Sequence, residues 1–358
     1  MVFANDVLFL NKLLEVKNIN LKAGIIIFAT IVLSSFSFYA YQVLFAPNIL
    51  LDKEEGYLYI PTGATFQNVK DSLAVKGVLH DRLSFMFLSK LSGYVNKVRP
   101  GRYRIQSGDN NYNTLKKLYS GRQDAVKITF NNIRLKEEFA EKMGTKLEFK
   151  SEELLAKMSD NKYLSTLGLD SSNVMCLLIP NTYEMYWNIT AETFLDKMYQ
   201  EYDKFWTEAR KEKAQSIGLT TQQVFILSSI VEEETKQEDE KSRVAGVYYN
   251  RFNTGMKLQA DPTVKYAVGD FTLRRIYSGH LTVDSPFNTY MYKGLPPGPI
   301  CLPTVKTIDA TLNVEKHDFL FFCADISNPG YHKFTRNFQE HLGVAKVYRS
   351  NLNERKIR

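Results

Sequence analysis

From Ala23 to Ala46 the chain reads AGIIIFATIVLSSFSFYAYQVLFA, 24 residues without a charge. In water such a run must be buried on every side, so it constrains the fold more than any other feature. As a helix rising 1.5 Å per residue it spans about 36 Å, enough to cross a hydrocarbon core of roughly 30 Å with some tilt. Lys12, Lys17 and Lys22 precede it, Asp52, Glu54 and Glu55 follow, and Tyr39 and Tyr41 fall near its far end. This lysine bias predicts a cytoplasmic tail over 1–22, a transmembrane helix over 23–46 and everything beyond outside the cytoplasmic membrane. A cleaved signal peptide fits less well, because its apolar stretch would be only about 7–15 residues long with a small-x-small cleavage site. No second such run occurs in the 358 residues, so the rest reads as a water-soluble body held by one end.

That body has material for sizeable cores: 44% of the chain is hydrophobic and 13% aromatic, which excludes a disordered or collagen-like protein. Three scattered cysteines exclude a disulfide framework, and the five histidines share no metal-ligand spacing. The net charge of +7 comes without a dense basic run, so it suits an anionic surface without implying nucleic acid. GYLYIP (56–61) alternates as a strand, Thr65 is placed to cap a helix closed by Gly77, and RLSFMFLSKL (82–91) reads as a second helix. PGRYRIQSG (100–108) then reads as a strand, followed by a helix over 112–119 stopped by Gly121. This β-α-α-β order over 50–122 resembles a LysM module, a small glycan-binding fold, with a plain spacer as the alternative. Residues 123–211 read as connecting scaffold: a strand at 126–131, a charged helical stretch over 132–170, an apolar segment broken at Pro180, and one amphipathic helix over 191–211. The expectation is an α+β protein whose C-terminal domain spans 212–346, with a basic tail over 347–358.

Phosphate-binding glycine loops, zinc-protease and serine-hydrolase signatures are absent. The informative block begins at Thr220, which forms a capping box with Gln223 and opens a helix, TQQVFILSSIVEEETK. From Val224 to Val231 every residue is apolar or serine, so this helix should be buried nearly all round. Glu232 is the first carboxylate after that run. At 100° per residue it borders the stripe of Phe225 and Ser228, whereas Glu233 and Glu234 rotate toward other faces. A carboxyl at the edge of an apolar pocket is expected to have a raised pKa, which suits proton donation. The plainer reading is a solvated acidic helix end.

The run LSSIVEEETKQEDEKSRVAGVYYNRFNTGMKLQADPTVKYAVG (227–269) resembles the YceG-like family of endolytic murein transglycosylases, which carries a similar S-I-V-E-x-E-T helix followed by N-R, G-M and D-P-T motifs. The likeness continues through SPFNTYMYKGLPPGPICLP (285–303) and FLFFCAD…YHKFTRNFQEHLGV (319–344), and weakly at LIPNTYEM (178–185), where Asn181 stands in place of the usual Asp. The resemblance implies a lyase that cleaves the β-1,4 bond between N-acetylmuramic acid and N-acetylglucosamine, leaving 1,6-anhydro ends and using no cofactor or metal. Carried over, Glu232 is the single acid/base, and Asn250, Gln259, Asp261, Asn288 and Tyr290 hydrogen-bond the sugars. Turn and loop-bracing roles are the alternatives for Asp261 and Asn288. Implied partners are peptidoglycan strands, the membrane and peptidoglycan synthases, with no nucleic acid. Two other readings stay open: a non-catalytic peptidoglycan-binding scaffold, and a hydrolase using Asp261 as a second carboxylate.

Overall fold

The computed structural model describes the backbone of residues 2–75 and 78–354, and the side chains of residues 21–73 and 78–347. Gly77, the expected helix stop, lies outside the described residues, as do 355–358 of the expected basic tail. The chain divides into two compact units, Met1–Ala125 and Val126–Arg358.

The first unit opens with α1 (Val2–Phe45), whose stretch Leu21–Phe45 is long and apolar enough to cross a membrane. Side chains along its middle, such as Ile26 and Phe28, find no protein cover. There follow β1 (Glu55–Ile60), α2 (Phe66–Val75), α3 (Arg82–Leu91), β2 (Gly101–Gln106) and α4 (Asn111–Ser120). β1 and β2 pair antiparallel with Leu58 opposite Tyr103, and the alternation of each strand sends Leu58, Ile60, Tyr103 and Ile105 into one core with Leu73, Phe85 and Leu118. Local chemistry explains the helix ends. Asp81 caps α3 through its carboxylate to the Leu83 and Ser84 amides, and Gly121 closes α4 at φ 70°.

The second unit contains β3 (Val126–Phe130), α5 (Lys136–Gly144), α6 (Ser151–Lys157), α7 (Asn161–Thr166) and β4 (Asn181–Met185), which pairs antiparallel with β3. The charged stretch expected as one helical region is thus three short helices. Next come α8 (Ala191–Phe205) and α9 (Glu208–Ser216), where a single helix was expected. The break has a cause: Trp206 is fully buried, and the Thr207 hydroxyl accepts from the Arg210 amide to start a new helix. Then follow α10 (Thr221–Glu234), α11 (Lys241–Asn253), α12 (Asp261–Val268), α13 (Ser278–Leu281), α14 (Val305–Leu312), the hairpin β5 (Phe321–Ala324) and β6 (His332–Thr335), and α15 (Phe338–Glu354). Residues 347–354, expected as tail, continue α15.

One hydrophobic core runs from Ile128 to Leu312, so the expected scaffold and the expected catalytic domain share it. α10 passes through its middle. All eight residues from Val224 to Val231 are buried, and each large apolar side chain among them stabilises the fold by about 1.5–3 kcal/mol. Its two serines are satisfied locally. Ser228 donates to the Val224 carbonyl and Ser229 to that of Ile226, while the Ser229 oxygen also accepts from the Ile300 amide at 3.0 Å. That last bond fixes the Pro/Gly-rich loop 294–299 against the helix. At Gly298 a Cβ would run into the Ser172 carbonyl, so only glycine allows this approach.

Gly298→Ala is therefore expected to cost about 1–3 kcal/mol, as overpacking against rigid backbone does. A lowered urea midpoint with an unchanged m-value checks it; an unchanged midpoint would mean that the loop is not held there.

Candidate functional site

The end of α10 presents three consecutive glutamates, and each meets a different environment. The Glu232 carboxylate points to the start of α14. Its Oε2 accepts from the Thr304 amide at 3.1 Å, from the Thr304 hydroxyl at 3.0 Å and from the Thr307 hydroxyl, and Lys241 Nζ stands 3.6 Å away. Burial favours protonation, but these donors together with the lysine charge outweigh it and hold the Glu232 pKa below the ordinary value. The expectation of a raised pKa at Glu232 is thus corrected: its carboxyl meets hydroxyls and a helix N-terminus, both of which stabilise an anion. Its geometry is that of a brace between α10 and α14. Glu233 makes a bidentate pair with Arg134 at 2.9–3.0 Å, tying α10 to the segment after β3.

Glu234, 200° round the helix from Glu232, opens into a cleft of about 400 Å³. The cleft is walled by Tyr248 and Arg251 of α11, by Gln259, Asp261 and Tyr290, and by Phe321, Phe322 and His332 of the β5–β6 hairpin. Removal from water pushes the Glu234 pKa up, and the nearby Asp261 charge adds to this. The Tyr248 hydroxyl, donating to Oε1 at 2.5 Å, and the charges of Arg251 and Lys265 oppose it; the balance is a pKa of about 7. The same α10 therefore carries two carboxyls displaced in opposite directions, the pattern that separates an ionised structural carboxylate from a working acid.

The other cleft walls are fixed by the chain around them. Arg251 donates to the Leu320 carbonyl at 2.6 Å and to that of Leu258 at 2.5 Å, and its guanidinium lies 5.0 Å from the Phe321 ring centroid. Gln259 sits at φ 52°, a left-handed conformation unusual for a side chain of this size. Its neighbours enforce it: Leu258 and Ala260 are buried, the Gln259 amide bonds the Thr289 carbonyl, and the Ala260 amide bonds the Thr289 hydroxyl. Leu258 and Ala260 thereby turn inward and Gln259 outward. Asp261 begins α12 and accepts from the Tyr290 hydroxyl at 2.7 Å. His332 is anchored through its amide and Nδ1 to the buried Glu240, at 2.7 and 2.8 Å.

Of the residues expected to meet substrate, Gln259, Asp261 and Tyr290 share the cleft with Glu234. Asn250 and Asn288 do not, and both expectations are corrected. Asn250 spends its amide on the His317 and Phe319 carbonyls at 2.8 and 3.1 Å, holding the segment that leads into β5. Asn288 is fully buried, donates to the Leu281 and Val283 carbonyls and accepts from the Tyr290 amide, so it braces the loop that presents Tyr290. Glu234, Tyr248, Arg251, Phe322 and His332 were not singled out as site residues from sequence. Their signal was present, since all fall inside the stretches that resemble the family, but nothing in a linear pattern says which side of a buried helix faces the cleft. Among the described residues no group of three or more His, Cys, Asp or Glu is arranged to hold a metal ion.

Comparison with known proteins adds three likenesses. The chain is 27% identical over 355 aligned residues to a Streptococcus pneumoniae protein named endolytic murein transglycosylase, covering 90% of this chain and 64% of that one. It thus spans just under two thirds of the length of this relative. It is 26% identical over 311 residues to the Bacillus subtilis protein of the same name, covering 83% and 85%. A crystal structure of a YceG-like protein from Listeria monocytogenes superposes with a TM-score of 0.54 at 25% identity, covering 82% of this chain and 99% of that one. The model of the YceG-like family matches residues 58–346, well over half of the sequence, and the chain belongs to that family.

Proposed function

We propose that this protein is a membrane-anchored endolytic murein transglycosylase in which Glu234 is the acid/base. The observation that carries the reading is the Glu234 carboxyl, its pKa near 7, at the wall of a cleft that also holds Gln259, Asp261 and Tyr290. At neutral pH such a group is protonated about half the time, so it is available both to give and to take a proton. The names of the pneumococcal and Bacillus subtilis relatives support the substrate class: glycan strands of peptidoglycan, cut at the bond between N-acetylmuramic acid and N-acetylglucosamine.

The reaction balances with one carboxyl. Tyr248 donates to Oε1, which leaves the proton on Oε2. Glu234 passes this proton to the glycosidic oxygen as the bond to C1 of the muramic acid breaks. The positive charge developing at C1 is met by the sugar's own N-acetyl oxygen. Glu234, now a carboxylate, then removes the proton from the C6 hydroxyl as O6 bonds to C1. The proton lost from O6 replaces the one given to the leaving sugar, no water is consumed, and a 1,6-anhydro end results. Glu232 is held ionised by Thr304, Thr307 and Lys241, and so has no proton to give at neutral pH.

A second reading rests on Asp261, which shares the cleft. As a second carboxylate it would make the protein a hydrolase with reducing-end products. Mass analysis of peptidoglycan digests decides: anhydro ends, one water lighter, are expected, and reducing ends would replace the transglycosylase by the hydrolase.

The anchor helix, with Lys22 before its apolar stretch and acidic residues after it, supports a cytoplasmic N-terminus and an outward-facing body, where murein and the synthases that extend it are found. A periplasm-active phosphatase fused after Arg358 should be active. A silent phosphatase fusion, with a cytoplasm-only reporter active at the same position, would reverse the topology.

Two substitutions separate the glutamates. Glu234→Gln should lower turnover by at least 10²–10⁴-fold, the typical value of one acid or base role. In wild type, kcat/KM should fall as pH rises past about 7, because the proton to be donated is lost. Since the folded Glu234 pKa lies above its unfolded value, ionisation destabilises the fold as pH climbs from about 4.5 to 7. Glu234→Gln should consequently melt higher than wild type at pH 8, with the gap closing toward pH 4.5. Glu232→Gln should do the reverse. Its folded pKa is depressed, so its contribution is present at neutral pH and disappears as acid protonates it. The variant should melt lower at pH 7 while retaining more activity than Glu234→Gln. Loss of activity confined to Glu232→Gln would overturn the assignment.

A further inference from the structure

The first unit carries an apolar face that its own core does not use. On α3, Leu83, Phe87 and Leu91 recur at intervals of four residues and are 78%, 60% and 71% exposed, while Phe85 on the opposite side is buried in the core. The stripe runs into a groove of about 610 Å³ whose walls include Leu44 of α1, Leu88 and Leu91 of α3, and Tyr112, Leu115 and Tyr119 of α4. The two tyrosines at its rim are themselves partly exposed, and each carries a lysine ammonium over its ring: Lys116 5.7 Å from Tyr112 and Lys97 4.7 Å from Tyr119. Lys90 interrupts the apolar stripe in the last turn of α3.

This face begins where the membrane helix ends. The Asn111 amide of α4 donates to the Val43 carbonyl of α1 at 2.9 Å, Pro47 bridges to Asn110, and the Phe45 and Tyr112 rings lie 5.8 Å apart. No linker separates the anchor from the fold. The 25 residues of Leu21–Phe45 span about 37 Å, more than the roughly 30 Å of a hydrocarbon core. The last turns of α1, on which α3 and α4 pack, therefore lie at the depth of the lipid headgroups. Apolar side chains rimmed by tyrosine and lysine are the composition of a protein surface at that depth, where the rings sit among headgroups and the ammoniums meet their phosphates.

We propose that the α3–α4 face is seated in the outer leaflet, with Leu83, Phe87 and Leu91 in the acyl boundary and Lys90, Lys97 and Lys116 on anionic headgroups, so that the first unit is a membrane-surface foot rather than a free spacer. The inference rests on the reading of α1 as a membrane anchor, and the test separates the two. Nitroxide labels are placed on the full-length protein at Phe87→Cys and Leu91→Cys. Ile27→Cys within the apolar span serves as the lipid control, and Gln67→Cys on the exposed side of α2 as the water control. Cys323 is replaced by alanine, and Cys176 and Cys301 are left buried. In vesicles of phosphatidylethanolamine and phosphatidylglycerol, relaxation by oxygen, which concentrates in lipid, is compared with relaxation by a water-soluble nickel chelate. The proposal expects the oxygen-to-nickel ratio at 87 and 91 to exceed that at 67 several-fold and to approach that at 27. A high ratio at 27 with a water-like ratio at 87 and 91 overturns the seat and leaves the anchor standing. Low accessibility to both agents at 87 and 91 means that protein covers the face, which also overturns it. A water-like ratio at 27 removes the anchor and the seat together.

Discussion

The second unit is organised by the burial of α10 on all sides. A helix whose residues Val224–Val231 are wholly enclosed cannot end in three carboxylates at random, because each charge carried into the interior needs a partner or must give up its ionisation. The chain solves this three ways. Glu232 is met by the hydroxyls and amide at the start of α14 and by Lys241, and Glu233 by the fork of Arg134. Among the described residues Glu234 receives the Tyr248 hydroxyl and the more distant charges of Arg251 and Lys265, which do not offset its burial, so its proton becomes hard to remove. The first two solutions hold α14 and the segment after β3 in place. The third leaves a poised acid at the cleft.

The cleft walls depend on the same economy of buried polar groups. Asn288 is consumed in shaping the loop that presents Tyr290, Thr289 forces Gln259 into its left-handed turn, and Glu240 anchors His332. Residues that look like sugar ligands by type are thus divided between those facing the cleft and those one layer behind it. Substitutions behind the cleft should act through geometry, because they move a wall rather than remove a contact.

Much of this was legible from residue order. The apolar run, the capping box of Thr220 and Gln223, and the helix over Arg82–Leu91 follow from local rules of hydropathy and capping, and the structure has each of them at the expected place. The break at Trp206 was not legible, because a buried tryptophan inside an amphipathic pattern looks like one more core position. Which of the three glutamates faces the cleft was not legible for a related reason. On a helix apolar all round, adjacency to an apolar stripe marks both faces equally, and only the tertiary partners, Thr304 and Thr307 on one side and the open cleft on the other, tell a satisfied carboxylate from a strained one. Asn250 and Asn288 were misjudged likewise, since a side-chain amide that binds sugar and one that binds backbone carbonyls are the same residue in a sequence.

α10 carries two carboxyls displaced in opposite directions, with Glu234 as the one that holds a proton near neutrality. Titration of the glutamate side-chain carboxyl carbons by 13C NMR, with Glu232 and Glu234 assigned from their glutamine variants, measures this directly. A midpoint near 7 is expected for Glu234 and one below the ordinary glutamate value for Glu232. A Glu234 that titrates below Glu232 would contradict it.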